Sequence, residues 1–399
     1  MQKLKKGRAK TILEAKKNLR LVMIESVITA GLLSIPIMTP FFHSVGLNQE
    51  QIAITQIIFT AVIMIVGFPV GWIVDRFSRK MANILGNLGC AITMIAYAFV
   101  QDFAGIVICE ALFGIFLAFS QGVDSSLIKH FTGKIDKSEK LFKTTSAKVA
   151  TWQQGFNMVL MLLGGPIGAI SFRLAIGLSA ITYVVGAIVA SFVKDDSEKL
   201  VPVHKNPFKD MARVVKSTVK NSKLRLRIFA FAVAREITHG IIWVFTPLML
   251  LAGVPLALVS IGWVLNSLAG VVGTKLAEKY IHRLKEWQIL ALPMLATVVG
   301  LGVMSIHFSI WTIWLYAVMG AVQGWTSATM LPIVQNHAKP SEQNSVVAFA
   351  RVVARLLFIP SSWIIGVVAD IKLEYSMLAT LLIFIPLSVP ILIKLRREN

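Results

Sequence analysis

The feature that most restricts how this chain folds is the regular return of apolar stretches, each long enough to form a membrane-crossing helix. Twelve such runs are read across the 399 residues, at roughly 19–43, 50–74, 80–100, 103–129, 145–170, 173–193, 225–251, 255–279, 286–306, 309–336, 342–369 and 374–395. A bilayer core of about 30 Å takes about 20 helical residues, because a helix rises about 1.5 Å per residue. Hydrophobic residues make up 56% of the chain and charged residues only 15%, more apolar surface than a soluble core could hide. The sequence therefore predicts an all-α membrane protein with twelve transmembrane helices. A polar segment over 194–224 parts them into six (1–193) and six (225–399).

The net charge of +20 suggests nucleic acid until the basic residues are placed. Thirty-five of the forty Lys and Arg fall in alternate gaps between the apolar runs or at the two chain ends. The other gaps hold only Arg173 and Lys372, and Arg235, Arg351 and Arg355 lie inside runs. This is the positive-inside pattern, which places both termini in the cytoplasm of a plasma (inner) membrane protein. Nucleic-acid binding needs one contiguous basic surface with stacking aromatics, so it is excluded as a partner. The basic start followed by an apolar run mimics a signal peptide. The run from Leu21 to Phe42 is too long and lacks a small-residue cleavage site, so it is expected to stay as a membrane helix. Cys90 and Cys109 sit in apolar runs without metal or redox spacing and read as packing residues. Between the halves, Asn206 and Pro207 read as a helix start. Phe208, Met211, Val215 and Val219 then recur at helical spacing opposite Lys209, Arg213, Lys216 and Lys220, which predicts an amphipathic helix against membrane lipids.

One short loop carries a motif. Gly71, Asp75, Arg76, Arg79 and Lys80 stand in the spacing G-x-x-x-D-R-x-x-R-K between the second and third runs. Gly67 and Gly71 are one helical turn apart and permit close approach of a neighbouring helix. The loop resembles the signature between helices two and three of the major facilitator superfamily, with every signature position filled. A fainter echo, Gly273, Glu278, Lys279 and Arg283, follows at the matching place in the second half. The resemblance implies two pseudo-symmetric six-helix bundles with a site at mid-membrane between them. It also implies a contact from Asp75 to the start of span eleven, where a helix N-terminus favours negative charge. Arg76, Arg79 and Lys80 would then hold an inner gate. Gly155 with Gly164, Gly165, Pro166 and Gly168 is partly similar to the glycine-proline motif of the drug/proton exchange branch. Two departures stand beside it. Ala118 occupies the place of an arginine three residues before Gln121 and Gly122, and Gly67 occupies that of an acid in a common span-two variant.

Ionisable groups inside spans cost roughly 2.5–3.5 kcal/mol each at mid-depth, so they face water, pair or stay neutral. The first half offers Glu25, Glu110 and Asp124, with Glu110 the preferred proton carrier. The second offers Arg235, Glu236, His239, Arg351 and Arg355. The paired spacing of the arginines is read two ways: as salt bridges to Glu236 and the first-half acids, or as seats for an anionic or amphipathic substrate. Gln153, Asn157, Asn266 and Gln323 are candidate cavity polars, each also suited to an interhelical hydrogen bond. Trp243, Trp263 and Trp325 are candidate cavity walls, and Trp311 and Trp314 interface anchors.

No phosphate-binding G-x-x-x-x-G-K-[ST] loop and no catalytic or metal-ligand constellation is present in the sequence, so neither enzyme activity nor a cofactor is expected. The expected function is secondary transport of a small molecule by alternating access, as a monomer, with a proton as coupling ion and export as the direction. Uptake of a nutrient or organic anion, and a non-transporting sensor or scaffold, are the alternatives.

Overall fold

The structure is a computed structural model describing residues 2–76, 78–120, 123–136, 139–194, 215–216, 218, 220–339 and 342–398, with side chains throughout these except 2–9, 68–76 and 344. Among the described residues there is no strand, and fifteen α-helices follow one another. The first eight are α1 (Gln2–Thr29), α2 (Met38–Ser44), α3 (Gln49–Arg76), α4 (Arg79–Tyr97), α5 (Phe103–Ser120), α6 (Val123–Ile135), α7 (Glu139–Ile170) and α8 (Phe172–Ser191). The remainder are α9 (Ser222–His239), α10 (Ile242–Leu251), α11 (Val259–Tyr280), α12 (Glu286–Ile306), α13 (Ala317–Asn336), α14 (Gln343–Ile371) and α15 (Tyr375–Glu398). Three pairs, α1–α2, α5–α6 and α9–α10, each make up one pass, an arrangement consistent with twelve passes.

Among the described residues, eight stretches are long and apolar enough to cross a bilayer on those grounds alone. The passes that fall short are the first, which is broken, and those of α4, α7 and α13. These three carry polar residues at depth: Asn83 and Asn87, Gln153 and Asn157, and Gln323 with Thr326. Polarity inside a pass marks a face that packs on protein or lines a cavity rather than lipid. Elsewhere large apolar side chains such as Ile65, Ile92, Leu295 and Leu382 stand more than half exposed, as lipid-facing positions do.

By internal contacts the chain divides into two compact units, Met1–Met38 with Ala61–Lys205, and Thr39–Thr60 with Asn206–Asn399. In the first unit Val22, Leu127, Ile128, Phe131 and Val149 form a core joining α1, α6 and α7. In the second, Phe231, Met294, Val346, Ala350 and Phe384 join α9, α12, α14 and α15. The closest packing there is α11 on α13, where a side chain on Gly320 would collide with the Asn266 carbonyl, and one on Gly324 with that of Gly270. Four-residue glycine spacing makes this approach possible.

The chain repeats itself in its irregularities. Pass one breaks between Thr29 and Met38 and pass seven between His239 and Ile242. Each then ends in the same turn. Leu47 N–H reaches back to the Phe42 carbonyl at 3.1 Å across Gly46 (φ 96°), and Val254 N–H to that of Met249 at 3.0 Å across Gly253 (φ 90°). Both are Schellman closures that require a left-handed residue, and only glycine adopts that conformation without strain. At the first break, side chains accept the freed backbone donors: Asn157 Oδ1 from Leu32 N–H at 3.0 Å and Ser179 Oγ from Ser34 N–H at 3.1 Å. Irregular backbone survives at membrane depth only when satisfied in this way.

Candidate functional site

Each unit encloses a polar cavity, and the two differ in charge. In the first unit Glu25 on α1 is 1% exposed. Its Oε1 accepts from Asn87 Nδ2 at 2.7 Å, a group that also donates to Asn83 Oδ1 at 3.2 Å. Asn83 Nδ2 in turn donates to Asp124 Oδ1 at 3.3 Å. Glu25 Oε2 is buried with no hydrogen-bond donor assigned to it among the described residues, and the Asp124 carboxyl lies within reach of Glu25 and of Ser26. Two carboxyl groups in contact away from water repel when both are charged, and a shared proton relieves that repulsion. Asp124 opens onto a cavity of about 390 Å³, whose wall includes Ser26, Thr29, Ser120, Ser146 and Gln153. Gln153 is itself tied down, donating to the Ser26 carbonyl and hydroxyl at 3.0 Å each.

In the second unit Arg235, Thr238 and His239 on α9 meet Gln323 and Thr326 on α13 and Arg351 on α14 around a cavity of about 310 Å³. Arg235 Nε stands 3.2 Å from Glu236 Oε1. Arg355 is the electrostatic neighbour of Arg235, Arg351 and Glu236. Arg235 and Arg355 thus share one buried carboxylate, Glu236, with Arg351 beside Arg355.

The sequence candidates sort clearly. Glu25 and Asp124 come together, as do Arg235, Glu236, His239, Gln323, Arg351 and Arg355. Glu110, 4% exposed, lies against Tyr97 between α5 and α4 and is not part of the first cavity's wall. Asn157 serves the helix break, and Asn266 donates to the Tyr316 carbonyl at 3.1 Å. Trp263 and Trp325 are buried with their N–H groups on Thr246 Oγ1 and the Ile289 carbonyl, and Trp311 is 83% exposed.

Of the signature loop, Arg79 is buried at the start of α4, behind Ser78, whose hydroxyl caps that helix by accepting from Met81 N–H. Lys80 Nζ donates to the Ser191 carbonyl at 2.5 Å. The side chains of Gly71, Asp75 and Arg76 lie outside the described residues, as do Gln121, Gly122 and nearly all of the expected amphipathic helix.

Two groups escaped the sequence reading. Asn83 and Asn87, 2% and 0% exposed, bridge the acids, and their four-residue spacing within an apolar run was the available signal. Arg227 was counted among charges that set topology, yet it is 4% exposed and forks onto Glu286 at 2.6 and 3.3 Å. It also pairs with Glu398, while His337 stands 3.9 Å from Glu286. This clamp joins the ends of α9, α12, α13 and α15.

The likeness to solved structures follows the fold. A bacterial homologue of the human lysosomal transporter Spinster, inward-facing and unoccupied, matches with a TM-score of 0.71 at 11% identity, over 98% of this chain and 97% of the other. The nucleoside transporter NupG matches with a TM-score of 0.78 at 12% identity, over 97% and 98%. At such identities the likeness is one of fold. No curated protein sequence matches the chain. The family model of the Major Facilitator Superfamily matches residues 23–391, and the chain belongs to that family of membrane transporters.

Proposed function

We propose that this secondary transporter exports a small organic compound across the plasma membrane in exchange for protons, with both of its termini in the cytoplasm. The observation that carries the reading is the buried contact of Glu25 with Asp124, which stands on the wall of the first cavity. A carboxyl pair that holds one proton takes it up from the acidic side and releases it when the cavity faces the alkaline side. Asn83 and Asn87 hold the two groups in register in either state, because each amide both donates and accepts. The geometry thereby favours Glu25 with Asp124 over Glu110 as the proton carrier. The partial glycine-proline motif in α7 supports the outward direction.

Proton-driven uptake by the same pair is the second reading, favoured by the arginines of the second cavity, since an anion entering with a proton carries less charge against the membrane potential. The test is flux in proteoliposomes under an imposed pH gradient, over a panel of organic compounds. Export predicts solute movement opposite to the proton, and Asp124→Asn should uncouple the solute from the gradient. Co-directional movement establishes uptake. Flux indifferent to the gradient in wild-type protein overturns proton coupling.

A further inference from the structure

We infer that the solute is an organic anion seated on Arg235 and Arg351, and that Glu236 is the resident carboxylate it displaces. This rests on the transporter reading and names the substrate class of its second cavity. The three arginines of this cluster, Arg235 and Arg351 on the cavity wall and Arg355 beside them, exceed its one carboxylate, Glu236, by two formal charges. The other described acids of this unit lie at helix ends, among them Glu286 and Glu398 on Arg227, Asp370 on α3 and Glu374 beside Lys372. An uncompensated guanidinium at depth is costly, and a carboxylate or phosphate that accepts two parallel N–H bonds relieves the cost.

A second observation points to a ligand. Thr326 is 3% exposed on the cavity wall, and its hydroxyl has no hydrogen-bond partner among the described residues. A buried hydroxyl is normally paired, and here the bound solute is the partner. At about 310 Å³ the cavity lies at the small end of ligand pockets, which selects a compact anion. Glu236, already 3.2 Å from Arg235, competes for the same fork.

The experiment is thermal melting of the full-length purified protein with citrate, glutamate, glucose 6-phosphate and benzoate, against glucose and benzamide as uncharged controls. At least one anion is expected to raise the Tm. Arg351→Gln should weaken that binding tenfold or more, and Glu236→Gln should tighten it several-fold by removing the competitor. Stabilisation by uncharged compounds alone, anion binding untouched by Arg351→Gln, or no anion-dependent shift overturns the inference. Proton-coupled flux of an uncharged solute would sink the anion but leave the transporter reading standing. Anion binding without flux would do the reverse.

Discussion

The two cavities share a scaffold and differ in chemistry. Both lie beside a broken pass that ends in the same glycine turn, Gly46 in one and Gly253 in the other. Around the first stand two carboxyls bridged by two amides; around the second, three arginines and a single carboxylate. A repeat preserves what the backbone needs, namely breaks, caps and close glycine approaches, and leaves side chains free to diverge. On the function proposed here, the first cavity holds the proton and the second the anion.

Breaking one side at a time should separate two activities. The largest effect is expected from Asp124→Asn, which removes the second carboxyl: solute flux loses its dependence on the pH gradient, while anion binding by melting stays within twofold of wild type. Arg351→Gln should do the opposite, weakening anion binding by ~10–100-fold, since a hydrogen bond to a charged group contributes roughly 1.5–3 kcal/mol. Asn87→Leu sharpens the acid side. It strips Glu25 of its donor and should cost ~1–3 kcal/mol in denaturant titrations, with the loss smaller when Glu25→Gln is already present. The smallest effect is expected from Glu110→Gln, whose carboxyl rests on Tyr97 away from the wall of the cavity; proton coupling should persist.

Much of this was legible in the residues. Apolar runs and alternate basic gaps gave the passes, because the bilayer reads hydrophobicity and charge directly. The second cavity was legible for the same reason: Arg235, Glu236, His239, Arg351 and Arg355 are too costly in a span to lack a role. Glu25 and Asp124 were legible singly but not as a pair, since nothing in one dimension shows that α1 and α6 meet. The amides were missed because Asn83 and Asn87 carry no charge to draw attention. The clamp at Arg227 was not legible because a cation at the end of a pass fits the topology rule whether or not it also holds Glu286 and Glu398. The breaks in passes one and seven have no signal in composition at all. They are held by partners remote in sequence, Asn157 and Ser179 for the first.

The division of labour is tested most directly by proton flux in proteoliposomes loaded with a pH-sensitive dye, driven by a gradient of whichever anion most raises the Tm. Wild-type protein should move protons opposite to the anion. Asp124→Asn should let the anion pass without protons, and Arg351→Gln should move neither. Proton movement in Asp124→Asn equal to that of wild type would contradict the account.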